Sequence, residues 1–121
     1  MELSYKFSFD AAHQFDHFPA DHPNCGVHGH SFQAEVAVRG EPDPRTGFIV
    51  DFAELESACA AVRADLDHRM LNKIAGLEAP SLENLCKWIW NRLAPRVPSL
   101  ARVTVGRASA GQSCVYEGPR R

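Results

Sequence analysis

The residues best suited to chemistry lie in the segment CGVHGH, residues 25–30, which holds one thiol and two imidazoles. His28 and His30 are two residues apart, so on a β-strand both side chains would point to the same face. His13 has the same parity in the preceding alternating segment. The apolar residues that share this face are Phe7, Phe9, Ala11, Phe32, Ala34, Val36 and Val38. Pairing of the two strands would therefore bring three imidazoles together at one end of a buried face.

Three converging imidazoles are typical of a metal centre. Three histidines leave one position of a tetrahedral zinc ion open for water or substrate, whereas structural zinc sites usually take four ligands and favour cysteine. We therefore predict that His13, His28 and His30 bind zinc. The alternative is that they are hydrogen-bonded core or loop histidines. His17 and His22 lie in a polar loop and are predicted to be solvated.

Two further features could move protons. Cys25 precedes His28 by three residues, and the charge of a nearby metal ion would favour its thiolate. Asp67 and His68 place a carboxylate beside an imidazole, which the carboxylate can orient for general acid/base catalysis. The same two residues could instead form a solvated helix C-terminus, where a histidine interacts favourably with the helix dipole. Both interpretations of the pair stay open.

The elements that would position these residues follow from hydrophobic periodicity. Asp51 and Ser81 each precede an amphipathic stretch and are predicted helix N-caps. The predicted elements are strands over 2–10 and 28–38, a third short strand over 48–50, helices over 52–66 and 82–94, a loop over 67–80 between them, and strands over 101–108 and 113–117. Strands that flank two grouped helices indicate an α+β fold, with an antiparallel sheet covered on one face by two helices.

Length and charge limit the class of protein. A chain of 121 residues with 45% hydrophobic and 23% charged residues is predicted to form one domain over 1–121. The net charge of −2 gives no general attraction to nucleic acid or an anionic membrane, and no apolar run predicts a signal peptide or a membrane span. We expect a cytoplasmic protein. Because a small sheet with two free edges favours pairing between subunits, we also expect a homo-oligomer.

Six segments together carry a resemblance to a known family. They are FDAAHQF, CGVHGHSF, GFIVDFAEL, LDHRMLN, APSLENLCKWIW and VYEG. Their order and spacing resemble the 6-pyruvoyl-tetrahydropterin synthase family, and the chain looks most like its bacterial branch, the 6-carboxytetrahydropterin synthases of queuosine biosynthesis. The resemblance implies the tunnelling fold, whose subunits form trimeric barrels that stack in pairs, most simply a hexamer with active sites at subunit interfaces.

The resemblance also implies an activity and roles for individual residues. His13, His28 and His30 match the zinc ligands, Cys25 matches the catalytic thiol, and Asp67 with His68 matches the acid/base pair. The implied enzyme is of the carbon–oxygen lyase type. It would convert 7,8-dihydroneopterin triphosphate to carboxytetrahydropterin, acetaldehyde and triphosphate.

Two departures from the family pattern keep alternatives open. Arg107 occupies the position at which the family has a glutamate that accepts paired hydrogen bonds from the amino-pyrimidine edge of the pterin. A guanidinium cannot accept those hydrogen bonds. Glu117 or a backbone carbonyl could supply the acceptor, while Arg107 would face solvent or help to neutralise the triphosphate. Cys25 is separated from the HGH segment by two residues instead of the usual three. The alternatives are a 6-pyruvoyl-tetrahydropterin synthase or a relative with another ligand, and a zinc-containing pterin-binding module without turnover.

Overall fold

The chain folds into one four-stranded antiparallel sheet with both helices on one face, as the computed structural model describes for residues 1–22 and 25–119. The elements are β1 (Glu2–His13), β2 (His28–Arg39), α1 (Phe52–Leu66), α2 (Leu82–Leu93), β3 (Leu100–Arg107) and β4 (Gln112–Tyr116), with short 3-10 turns at Leu71–Lys73 and Ala108–Ala110. The strands lie in the order β1-β2-β3-β4, so β1 and β4 are the outer strands. The predicted α+β architecture is confirmed.

The alternation along each strand directs one set of side chains into the core under the helices. In β1 the buried positions include Phe7, Phe9, Ala11 and His13, and the residues between them are more exposed. The rings of Phe9 on β1 and Phe32 on β2 stack with their centroids 5.1 Å apart. This packing sets the two strands in one register, and the register decides which residues meet at their far end.

Both helices begin at the predicted caps. The Asp51 side chain accepts a hydrogen bond from the Ala53 amide at 2.9 Å, and the Ser81 hydroxyl accepts one from the Asn84 amide at 3.1 Å. Each cap satisfies an amide that has no partner within the first helical turn. Ser81 consequently sets where α2 starts, which matters because this end of α2 borders the site described below.

The short strand predicted over 48–50 is wrong. These residues form a bend, and the Phe48 carbonyl accepts from the Asp43 amide at 2.9 Å to close the preceding turn. Ile49 and Val50 pack against the core as partly buried side chains. Their hydrophobicity therefore reflects packing of a connecting segment, because no strand in the described part of the chain pairs with them.

Neither helix in the described part of the chain combines the length and the apolar character needed to span a membrane.

Candidate active site

Three imidazoles meet at the end of the β1–β2 pair. His13 lies opposite His28 in the register, and Ala11 lies opposite His30. The ring centroids are 4.5 Å apart for His13 and His28, 5.0 Å for His13 and His30, and 4.9 Å for His28 and His30. One ring nitrogen of each residue lies within 4.8 Å of those of the other two. The predicted convergence of the three side chains is confirmed.

Backbone carbonyls orient two of the rings. Nδ1 of His13 lies 3.0 Å from the Pro80 carbonyl, and Nδ1 of His28 lies 2.8 Å from the Gly26 carbonyl. A carbonyl only accepts, so Nδ1 carries the proton in both rings and Nε2 keeps its lone pair. Both Nε2 atoms are buried and have no hydrogen-bond partner within residues 1–22 and 25–119. This donor set, with each ring held through its other nitrogen, fits a divalent ion such as zinc.

The local electrostatics keep the rings of His13 and His30 neutral. His13 is 1% exposed, and burial is the main cause that lowers its pKa from 6.5 to about 4. Burial also lowers the pKa of His30, followed by the positive charge of Arg107 and by His28. Because a metal ion binds the neutral imidazole, these lowered pKa values leave the ligands ready for it at neutral pH.

Arg107, at the end of β3, contacts this group. Its Nη1 lies 3.3 Å from Nε2 of His30, and its Nε is buried without a hydrogen-bond partner. The side chain borders a cavity of about 330 Å³ next to the imidazoles. The residues that line this cavity are Phe15, His17, Phe18, Ser81, Leu82, Glu83 and Arg107. Arg107 is thus turned towards the candidate metal centre and only half-exposed.

Asp67 and His68 form the expected pair on a segment that lies along the outer edge of β1. Oδ1 of Asp67 accepts from the Asp10 amide at 2.9 Å, and Oδ2 lies 2.9 Å from Nδ1 of His68 and 3.2 Å from Nη2 of Arg63. The hydrogen bond from the Asp10 amide is the main cause that lowers the pKa of Asp67, and His68 adds to it. The carboxylate is therefore ionised at neutral pH and orients the imidazole.

The backbone presents His68 to solvent. Its φ is +60°, the left-handed region that residues other than glycine rarely adopt, and its amide donates to the Asp10 carbonyl. The side chain is 78% exposed. It borders a cleft of about 580 Å³ whose lining also includes His30, so the acid/base pair and the candidate metal centre adjoin at this end of the sheet.

In the part of the chain that the structure describes, the other two predicted site residues, Cys25 and Glu117, lie outside the group of three imidazoles. Cys25 is half-buried, and its amide donates to the His22 carbonyl at 3.0 Å. Among the described residues, the group able to hold a metal ion consists of the three histidines and does not include Cys25. Glu117 lies beside Trp90 and Arg39 in a separate cavity, towards the opposite end of β3 from Arg107.

Glu83 is the carboxylate that lines the cavity next to the imidazoles, and the sequence analysis did not single it out. It lies in the first turn of α2, two residues after the Ser81 cap. A carboxylate in that position is usually explained by the helix dipole. Its position two residues after the cap is the one sequence signal that placed it at this end of α2, where it shares a cavity with residues from the loop after β1 and with Arg107 of β3.

The fold and the site define a small α+β protein with a candidate tri-histidine metal centre beside an acid/base pair. The sequence profile of the 6-pyruvoyl tetrahydropterin synthase family matches residues 2–119. The chain belongs to this family, so the resemblance inferred from the sequence is confirmed.

Individual relatives differ in the activity that their names state. The chain is 38% identical over 96 residues to the dihydroneopterin monophosphate aldolase of Pyrococcus furiosus, covering 79% of this chain and 77% of that protein. It is 38% identical over 113 residues to the 6-carboxy-5,6,7,8-tetrahydropterin synthase of Synechocystis, covering 87% and 85%.

Solved structures confirm the fold. The 6-pyruvoyl tetrahydropterin synthase of Caenorhabditis elegans superimposes with a TM-score of 0.85 at 25% identity, covering 98% of this chain and 96% of that one. The Plasmodium vivax 6-pyruvoyltetrahydropterin synthase, at 20% identity and a TM-score of 0.73, is similar in fold over 96% of each chain. The expected tunnelling fold is therefore confirmed.

Proposed function

We propose that the protein is a zinc-dependent 6-carboxytetrahydropterin synthase of queuosine biosynthesis, acting in the cytoplasm on 7,8-dihydroneopterin triphosphate. The reaction would consume one water, and its products would be 6-carboxytetrahydropterin, acetaldehyde and triphosphate. The observation that carries the proposal is the meeting of three imidazoles, two with buried and unpartnered Nε2 atoms, beside a cavity and an acid/base pair. Relatives from Synechocystis and Archaeoglobus fulgidus that bear this name, the second as putative, support the choice of reaction.

The metal would be held by His13, His28 and His30. Zinc, when bound, supplies Lewis-acid polarisation of the oxygens on the substrate side chain. The Pro80 and Gly26 carbonyls hold the rings of His13 and His28 in the tautomer that leaves Nε2 free. The chain thus orients two of the three ligands before any ion arrives, which lowers the entropy cost of binding one.

Cys25 and His68 would move the protons. Since Nδ1 of His68 faces Asp67 at 2.9 Å, its Nε2 is free to take a proton from the substrate or return one. The Asp67 carboxylate stabilises the protonated imidazole that forms. Cys25 would act as the base on the other side of the substrate. Loss of triphosphate then needs no nucleophile from the protein.

The pterin would lie in the cavity beside the metal centre. The amino-pyrimidine edge needs an acceptor, and a carboxylate can accept two hydrogen bonds from it. Glu83 lines this cavity, whereas Glu117 borders another. We therefore assign the edge contact to Glu83. Arg107 would contact the substrate as a donor, and the rings of Phe15 and Phe18 would pack against the pterin.

The active enzyme would be a trimer-based homo-oligomer, most simply a hexamer, with sites at subunit interfaces. Two features support this assembly. Among the described residues, no further strand of the sheet lies outside β1 or β4, and residues 67–70 cover only the end of the outer edge of β1, through contacts with Asp10 and Ala12. His68 is 78% exposed beside the edge of β1, where a second copy would cover it and shield it from bulk solvent.

One observation favours a second candidate within the family. The Pyrococcus furiosus relative is named as an aldolase that acts on dihydroneopterin monophosphate, and Arg107 changes the pterin cavity relative to the family pattern. A 6-pyruvoyl-tetrahydropterin synthase, or a relative that takes another ligand, is the corresponding alternative. A zinc-containing pterin-binding module without turnover is the third.

One assay separates these candidates. The zinc-loaded protein is incubated with 7,8-dihydroneopterin triphosphate and, in a parallel reaction, with the monophosphate. Acetaldehyde, the carboxylated pterin and any phosphorylated aldehyde are quantified. Both products from the wild type, and neither from Cys25→Ala, are the expected result. Cys114→Ala is the matched control, because Cys114 is also half-buried but lies on β4.

Other outcomes would contradict the proposal in distinct ways. A pyruvoyl product would support the synthase of that name. Release of a phosphorylated aldehyde from the monophosphate would support the aldolase. Tight binding of the pterin with no product would support the binding module.

A further inference from the structure

The contact between Arg107 and His30 is incompatible with a metal ion on His30. Nη1 of Arg107 lies 3.3 Å from Nε2 of His30, so the guanidinium donates to that lone pair. A metal ion on Nε2 would take the same lone pair. A metal ion on Nδ1 would leave the proton on Nε2, which would then oppose an N–H of Arg107. On either nitrogen, metal binding breaks the contact.

Charge adds to this conflict. A guanidinium stays positive at any pH of interest, and a unit positive charge next to a divalent ion repels it. Within residues 1–22 and 25–119, Arg107 makes no ion pair that would offset its charge. Arg107 therefore weakens the binding of the metal unless the side chain turns towards an anion.

The cavity that Arg107 borders has room for such an anion. Its volume is about 330 Å³, and its walls include the Phe15 and Phe18 rings. Nε of Arg107 is buried and unpartnered, so this side chain has a donor that still lacks an acceptor. A guanidinium pairs best with two oxygens of one phosphate or carboxylate. The acceptor that the site lacks is thus of a definite chemical class.

We propose that Arg107 couples the metal centre to the charge of the ligand: it rests on His30 in the ligand-free protein and moves to a phosphate or carboxylate group of the ligand when the metal binds. Metal and anionic ligand would then bind with positive cooperativity, because each removes the obstacle to the other, and the coupling is reciprocal. This inference rests on the proposed function, since it takes a metal at the three histidines and a pterin in the cavity.

The first arm of the test measures metal affinity without turnover. The full-length apoprotein and its variants compete with a chromophoric chelator for Co²⁺. Arg107→Gln should bind Co²⁺ at least about tenfold more tightly than the wild type because a nearby positive charge is gone. Arg107→Lys, which keeps the charge, should stay closer to the wild type.

Arg102→Gln is the matched control, because it removes the same charge from the same strand at a residue that pairs with Glu2. Its Co²⁺ affinity should equal that of the wild type. Thermal unfolding of each apoprotein verifies that the variants are folded. Equal or weaker Co²⁺ binding by a folded Arg107→Gln would overturn the proposal.

The second arm measures the coupling to the ligand. The Co²⁺-loaded wild type and Arg107→Gln are titrated with two matched pairs: neopterin against neopterin monophosphate, and 6-hydroxymethylpterin against pterin-6-carboxylate. The wild type should prefer the anionic member of at least one pair by about tenfold or more, and Arg107→Gln should lose that preference. The first pair reports on a phosphate and the second on a carboxylate.

Two results of the second arm would contradict the proposal. A preference that survives in Arg107→Gln would assign the anion to other groups. No preference in the wild type would mean that Arg107 turns to an internal partner such as Glu83 when the metal binds. Since both arms measure binding, they remain decisive even if the protein forms no carboxytetrahydropterin, which would refute only the proposed function.

Discussion

The buried imidazole of His13 should make the stability of the apoprotein depend on pH. Burial holds its pKa at about 4 in the folded protein, against the ordinary 6.5. Between these values the unfolded chain binds a proton that the folded protein does not, so stability rises with pH across this window and falls on acidification. At about 1.4 kcal/mol per pKa unit, the full effect is about 3 kcal/mol, of which about 2 kcal/mol falls between pH 7 and pH 5.

The assay is urea unfolding of the metal-free protein at a series of pH values from 7 to 5, at one protein concentration. His13→Asn is the comparison, because the asparagine amide can still donate to the Pro80 carbonyl but does not titrate. The variant should lose less than half as much stability as the wild type over this range. The residual slope should come from His30, whose pKa is also lowered.

The carboxyl group of Glu2 contributes little to the change in stability between pH 7 and pH 5. The Arg102 and Arg39 side chains lower the pKa of Glu2 from 4.5 to about 2, so the stability that Glu2 contributes is lost only below about pH 4.5.

Parallel pH profiles for the wild type and His13→Asn would refute the reasoning, because they would show that His13 titrates alike in the folded and unfolded states.

Three further predictions follow from the geometry. Gly106→Ala should destabilise the protein by about 2 kcal/mol, because a Cβ there would lie 2.9 Å from a backbone carbonyl oxygen on β4. Gly29→Ala is the control, since a Cβ at that position would lie 3.6 Å from its nearest non-adjacent neighbour. Urea unfolding of both variants tests the difference, and equal losses of stability would contradict it. Asp67→Ala should lower kcat by about 100-fold by leaving His68 without its orienting carboxylate, and it should lower stability slightly because the Asp10 amide loses its acceptor. Steady-state turnover and unfolding measure the two effects, and unchanged kcat would exclude Asp67 from the mechanism. Zinc at about 100 times its dissociation constant should stabilise the chelator-treated protein by about 2.7 kcal/mol, and His28→Ala should abolish that gain; an equal gain in the variant would place the zinc elsewhere.

Much of the fold could be predicted because its signals are local. The polarity of β1 and β2 alternates with the period of a strand, and this alone indicated that the three histidines share a buried face. Asp51 and Ser81 marked the starts of the helices, because an N-cap is a requirement of the first helical turn. The convergence of the imidazoles needed only one further assumption, that the two strands pair.

Where local signals were ambiguous, the prediction failed or was incomplete. The segment 48–50 is as hydrophobic as a strand, but the Phe48 carbonyl closes a turn, and only the Ile49 and Val50 side chains pack on the core while that of Phe48 is exposed. Glu83 looked like an ordinary first-turn residue, and its place in the cavity depends on how α2 lies against the sheet. Hydrophobicity reports burial, and it does not report which partner a residue is buried against.

The amino-acid sequence was sufficient for the α+β architecture, the family and the three candidate metal ligands, because each follows from periodicity, capping or motif spacing along a continuous stretch of chain. The contact of Arg107 with His30, the cavity that Arg107 shares with Glu83, and the exposed setting of His68 beside β1 all join residues that are far apart in the chain. Such contacts depend on the packing of the whole core, so the tertiary structure was needed to reveal them.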